Sequence, residues 1–330
     1  MTVLDLDAHA AVRLPAGRGA LSGALLDVLT GRTRTLPVRL ADPDPYGEDL
    51  QLALHLAYEL HYRPLPGVDA ELEWDPEVLR FRRLLERVFL AALRADVAGG
   101  DDVDAALAPL LLEPVSGTGP SWHLARDGDR GQLGEYVAHR SVYHLKEGDP
   151  QSWVVPRLQG QAKASFVSVQ HDEYGAGRGE RMHAQLFAEM MLELDLDPAY
   201  GRYVEVTPAS TLAPVNLMSM AGLHRTLLGV AVGQFAMIEV TSSPGSRRLS
   251  AAFARLSPGT AGQRFYDEHV EADAVHEQVL RRGLLRDLLG RDPGLAADVV
   301  LGVQAGLLLE ERSGAHLLAC WSAGRSSLRC

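Results

Sequence analysis

Apolar residues recur three and four positions apart along most of the chain, the period of an amphipathic helix, and no stretch alternates as a strand would. Residues 49–62 read as one such helix, carrying Leu52, Leu56, His55 and Glu59 and closed by Arg63-Pro64-Leu65-Pro66-Gly67. Asp75-Pro76 opens a second, with Pro in its first turn. Its apolar face runs through Val78, Phe81, Leu85, Phe89 and Leu93 to a stop near Gly99-Gly100. Further helices are expected at 24–29, 101–108, 135–147, 155–171, 179–194, from Pro208, 217–240, 265–277 and 296–318. The 217–240 run is apolar on most faces, as buried helices are, and the sequence from Glu239 to Pro244 is expected to end it. The Pro/Gly/Ser-rich stretch 113–131 reads as a loop. The fold class is all-α, with residues 1–45 as an N-terminal extension, 46–322 as one helical domain and 323–330 as a tail.

Composition narrows the function. The 330 residues are 46% hydrophobic and 23% charged, ordinary for a globular chain. A formal charge of −11 with no Lys/Arg run argues against a nucleic-acid partner or an anionic membrane surface. No stretch is expected to be apolar enough to span a membrane, and the N-terminus lacks a basic segment followed by an apolar one. A cytoplasmic location is expected. The two cysteines, Cys320 and Cys330, have no zinc-site spacing, so a metal site would have to use His, Asp and Glu.

Those residue types concentrate in one stretch. The segment from Phe265 to Glu277 has no Pro or Gly and contains His269, Asp273 and His276 at i, i+4 and i+7. At about 100° per residue the three fall within roughly 60° of one another on a helix. Two imidazoles and a carboxylate on one face suit a first-row transition metal. The competing reading is a solvated acidic helix, because Asp267, Glu268, Glu271 and Glu277 crowd the same stretch. Other candidates bear on the choice. Glu59 shares a face with His55, as a ligand or as half of a surface pair. Glu173 and His183 flank a Gly175-x-Gly177 break. Glu239 closes an apolar helix, where a carboxylate needs a cation, a partner or an exposed helix end. His139 and His144 lie five apart, on different faces, and read as structural or exposed. Four carboxylates and three imidazoles are more than one metal takes and suit two metals with bridging carboxylates. Oxygen and nitrogen ligands without thiolate favour iron or manganese over structural zinc.

The segments from Gln170 to Gly175, with Arg178 and Met182-His183, and from Asp267 to Glu277, resemble the heme-oxygenase-like diiron oxidases and oxygenases, a family also called iron-containing redox enzymes. The likeness covers residues 131–277, with 54–63 as the first ligand helix. It implies a heme-oxygenase-like bundle with the metal site between core helices. It implies the ligands Glu59, Glu173, His183, Glu239, His269, Asp273 and His276, with His55, His171 and Asp172 behind them. It implies two Fe ions cycling between Fe(II) and Fe(III), O2 as co-substrate, a small-molecule substrate and an external electron donor of unknown identity. Glu239 matches an additional carboxylate of the N-oxygenases, so N-oxygenation of an amine or guanidine-like nitrogen is the leading activity. Oxidative C–C cleavage or decarboxylation of an aliphatic acid or amino acid is the alternative, and a non-enzymatic iron-binding helical protein is the rival from another class. A homodimer is one oligomeric option.

Overall fold

A computed structural model describes residues 13–113 and 116–330, except for the side chains of 273–275. The first twelve residues of the N-terminal extension, and Asp273, therefore lie outside what is described. Among the described residues there are helices and no strand, so the fold is all-α.

Ten helices have ten residues or more: α1 (Ala20–Leu29), α2 (Glu48–Glu59), α3 (Pro76–Asp96), α4 (Arg130–His144), α5 (Gly160–Glu173), α6 (His183–Glu193), α7 (Ala209–Leu223), α8 (Leu228–Leu256), α9 (Ala261–Val279) and α10 (Ala296–Ser322). Several starts are legible in local chemistry. The Asp75 side chain accepts from the backbone N–H groups of Glu77 and Val78 at the head of α3, with Pro76 at the first position. Asp129 and Gln132 form a capping box on α4.

α8 is the axis of the bundle, packed along its length against α10 on one side and α9 on the other. Its approach to α10 is backbone-close because glycines face it. A Cβ on Gly233 would lie 2.0 Å from the Val299 carbonyl oxygen, and one on Gly302 would lie 2.2 Å from that of Val230. α8 and α10 are long and apolar enough to cross a membrane by length and composition, contrary to expectation. Here both are core helices, with Val232, Phe235, Val299 and Val303 interlocked. α6 packs on α9, α7 on α2, and α1 on α2. Part of the expected N-terminal extension thus belongs to the core, as Leu25 and Leu29 are fully buried. The tail is also docked: Ser327 is buried and donates from its backbone and its hydroxyl to Glu135.

Two boundaries differ from the sequence reading in ways that matter. α8 does not end at Pro244 but runs through it to Leu256. A proline inside a helix removes one backbone hydrogen bond, and packing on both flanks outweighs that loss. Glu239 is therefore mid-helix and buried rather than at an exposed end. Within the expected loop, Pro120–Arg126 is a short helix against α8.

Candidate metal centre

Glu173 is the last residue of α5 and His183 the first of α6. The chain turns between them at Gly175, whose φ is +68° and whose Cβ, if present, would meet the Arg181 carbonyl carbon and the Met182 nitrogen at 2.6 Å. Only glycine satisfies both the left-handed backbone and that close approach. The turn brings His183 Nδ1 to 2.9 Å from Glu173 Oε2.

α9 presents His269 and His276, seven residues and about two turns apart, to this pair. His269 Nδ1 donates to the Phe265 carbonyl oxygen at 2.8 Å. A carbonyl only accepts, so Nδ1 carries the proton and the lone pair of Nε2 is turned inward, 3.7 Å from Glu147 Oε1. His276 Nδ1 lies 2.9 Å from Glu239 Oε2, and its Nε2 lies 3.1 Å from Asp172 Oδ2.

Two groups of three result: Glu147, His183 and His269, and Glu173, Glu239 and His276. All six residues are buried, and within each group one donor atom per residue lies within 4.8 Å of the others. Their chemistry fits a metal. Glu147 Oε2, Glu173 Oε2 and His183 Nδ1 are buried with no hydrogen-bond partner among the described residues, although His183 Nδ1 lies close to both carboxylates. Three buried carboxylates cost several kcal/mol without compensation, and a cation at each group offsets that cost. Nitrogen and oxygen donors without sulfur suit iron.

Glu147 was absent from the sequence-derived ligand set, and it takes the place expected of Glu59. Glu59, at the end of α2, joins neither group. It binds the Lys146 ammonium, accepts from the Tyr200 hydroxyl at 2.6 Å and lies 3.6 Å from His55 Nε2. A carboxylate already holding a buried ammonium has no charge left for a metal. Glu147 follows α4 by three residues, and His144 Nδ1 donates to its Oε1 at 2.7 Å. Burial works to raise the Glu147 carboxyl pKa, yet the His144 imidazole bonded to it outweighs burial and holds the group below the carboxylate range. The only signal in the chain was its neighbourhood, a Glu three residues after a His and just before the Gly148-Asp149-Pro150 break.

The residues expected behind the ligands also sort. Asp172 bonds the far nitrogen of His276, a supporting position. His171 is exposed on α5 and does not support the centre. His55 is buried beside Glu59, away from both groups, and burial lowers its pKa to about 4. His144, expected to be structural or exposed, holds Glu147.

A cavity of about 340 Å³ adjoins the centre and is lined by Glu147, Glu173, Glu239 and His269 together with parts of α4, α8, α9 and α10. Phe265 edges His144 and packs on His269, so the histidines sit in aromatic surroundings.

Comparison with known proteins agrees with this geometry. Residues 134–311 match the model of a family described as iron-containing redox enzymes, a span that holds both groups and excludes Glu59. The chain is 24% identical over 161 residues to a nitrosourea synthase from Streptomyces achromogenes subsp. streptozoticus, a match covering 48% of this chain and 34% of that protein. The chain thus spans about a third of the length of that curated relative. With more than half of its residues matched by the family model, and with the all-α heme-oxygenase-like fold, the chain belongs to the family of iron-containing redox enzymes.

Proposed function

We propose that the two buried groups hold two iron ions and that the protein is an O2-dependent oxygenase of a small organic substrate, acting by N-oxygenation of an amine or guanidine-like nitrogen. The observation that carries this is the pair of three-residue His/Glu groups opening onto one cavity. The nitrogen assignment is supported by Glu239 in the second group and by the relative named for making a nitrosourea. The reaction balances as follows. One oxygen atom of O2 enters an N–H bond, and the other leaves as water with two electrons from an external reductant and two protons.

Iron in this centre supplies the redox chemistry that O2 requires. The chain supplies the rest. The Phe265 carbonyl and Asp172 fix the tautomers of His269 and His276. His144 holds Glu147 in its ionised form. Three carboxylates offset most of the charge of two ferrous ions, and three neutral imidazoles keep the centre from becoming anionic. Phe265, Met237 and Ile238 line the cavity wall and keep bulk water from the bound substrate.

The test is anaerobic loading with Fe(II) followed by exposure to O2. Two irons per chain and an O2-dependent absorbance change are expected. Binding of well under two irons by folded protein would overturn the reading.

A further inference from the structure

His139 of α4, Thr211 of α7 and Ser313 of α10 also line the cavity, and none of them belongs to either ligand group. They are links in a hydrogen-bonded chain that begins in the C-terminal tail, and the number of hydrogens available gives every link one direction. Glu135 Oε2 accepts from Trp321 Nε1 at 2.8 Å, from the Ser327 backbone N–H at 2.9 Å and from the Ser327 hydroxyl at 2.6 Å. Burial works to raise the Glu135 pKa, and the hydroxyls of Ser326 and Ser327 outweigh it, so the carboxylate is ionised and only accepts. The one hydrogen of the Ser327 hydroxyl is thereby used. Its oxygen lies 3.0 Å from His139 Nε2 and must accept from that nitrogen. His139 is neutral, because burial lowers its pKa to about 3, so a proton on Nε2 leaves Nδ1 as an acceptor. Thr211 Oγ1, 2.9 Å away, then donates to Nδ1. With the Thr211 hydrogen used, its contact with Ser313 Oγ at 3.3 Å is made by the Ser313 hydrogen. Ser313 Oγ has no other hydrogen-bond partner among the described residues, so lone pairs are all that it has left to offer. Both bonds of His139 are buried, whereas Ser313 is half-buried and its bond to Thr211 is partly open. The open end of the chain is therefore at the cavity wall.

We propose that Ser313 is the acceptor of a subsite for a hydrogen-bond donor, an N–H or O–H of the molecule in the cavity, and that the docked tail sets this preference through Ser327 and His139. This rests on reading the cavity as the substrate site. An N–H that reaches the wall finds the Ser313 lone pairs. A group that only accepts, such as an ether oxygen, meets those lone pairs with its own and leaves both without a partner. Ser313 cannot turn its hydrogen to serve such a group without leaving the Thr211 oxygen unpaired. Reversing the whole chain would take the Ser327 hydrogen away from an ionised carboxylate. Four side chains thus point their hydrogens at one anion, and the cavity end of the row is left as an acceptor.

Indole and benzofuran are the probes. They are fused rings of one shape, the first with an N–H that donates and the second with an oxygen that accepts. Isothermal titration of the full chain gives the ratio of their affinities, and comparing that ratio between variants removes the difference in hydrophobicity of the two rings. Ser313→Ala should lower the indole-to-benzofuran ratio roughly fivefold, the effect of one neutral hydrogen bond. Ser327→Ala, in the tail, should lower it as far. His139 without its acceptor takes the Nδ1–H form, donates to Thr211 and turns the row round. Nitrogen spectra of metal-free protein with isotope-labelled histidine, assigned with His139→Gln, should find the His139 proton on Nε2 in the parent and on Nδ1 in Ser327→Ala. The proposal is overturned if neither probe binds the parent, if the ratio is unchanged in Ser313→Ala or in Ser327→Ala, or if the parent His139 carries its proton on Nδ1. The titrations are run on oxygen-free iron-loaded protein and on metal-free protein, and the same ratio is expected in both. A chain that fails to load iron would sink the metal reading, while the metal-free titration still decides this one.

Discussion

Lys146 is fully buried and bonded to Glu59, one residue before the metal-centre carboxylate of Glu147. The ammonium also lies over the Tyr62 ring, 4.3 Å from its centroid, and Arg63 donates to the Leu145 carbonyl. The end of α2 thus clamps the turn 145–147 in place. Glu59→Ala should destabilise the fold by about 3–5 kcal/mol, because it leaves a buried ammonium without its partner. Glu59→Ala/Lys146→Met should recover most of that. Urea unfolding reads both, and iron analysis should find two ions per chain in the double variant. Loss of an ion there would mean that Glu59 is a ligand after all.

Glu147→Ala and His276→Ala should each lower iron content by about one ion per chain in metal analysis of folded protein. Glu173→Gln separates binding from folding. Removing one of three buried negative charges should stabilise the metal-free protein by about 1–2 kcal/mol while weakening iron uptake. A metal-free variant less stable than its parent would contradict the charge argument.

Gly233→Ala should cost about 2–3 kcal/mol, because its methyl would press on the Val299 carbonyl and the α8–α10 backbone would have to separate. Gly290→Ala, where a Cβ meets nothing within 4 Å, serves as the control and should change the denaturation midpoint little.

Acid should destabilise the protein earlier than its carboxylates alone would require. Burial is the first cause lowering the His139 pKa to about 3, with the charge of His316 adding to it. Between that value and the ordinary histidine pKa of about 6.5, the unfolded chain binds a proton that the folded chain refuses, so stability falls as pH falls. The slope approaches 1.4 kcal/mol per pH unit for this one residue. Lowering the pH from 6.5 to 5.5 should therefore cost the parent about 1 kcal/mol more than His139→Gln, measured as urea midpoints at the two pH values. Equal losses would contradict the assignment.

Much of the centre is legible in the sequence. The i, i+7 spacing of His269 and His276 was sufficient to place both on one helix face, and the Gly175 break between Glu173 and His183 marked a turn. Glu59 misled because an i, i+4 His–Glu pair looks alike whether it faces a metal or a lysine. The residue that decides between them, Lys146, lies 87 positions away in the chain. Glu147 escaped because it follows the end of α4, where no helical period assigns it a face. The passage of α8 through Pro244 escaped for a related reason, since local preference argues for a stop and only the flanking helices overrule it.

α9 gives one histidine to each group, and among the described residues no other element gives a residue to both. α9 is therefore one rod shared by the two groups, beside the contact of Glu173 with His183 across the Gly175 turn. Any change in its winding that moves His269 relative to its group also moves His276 relative to the other. An ion bound at one end favours the winding that the other end needs, so the second ion enters a place already shaped by the first. On the two-ion reading, filling either group therefore leaves the other better shaped for its own ion.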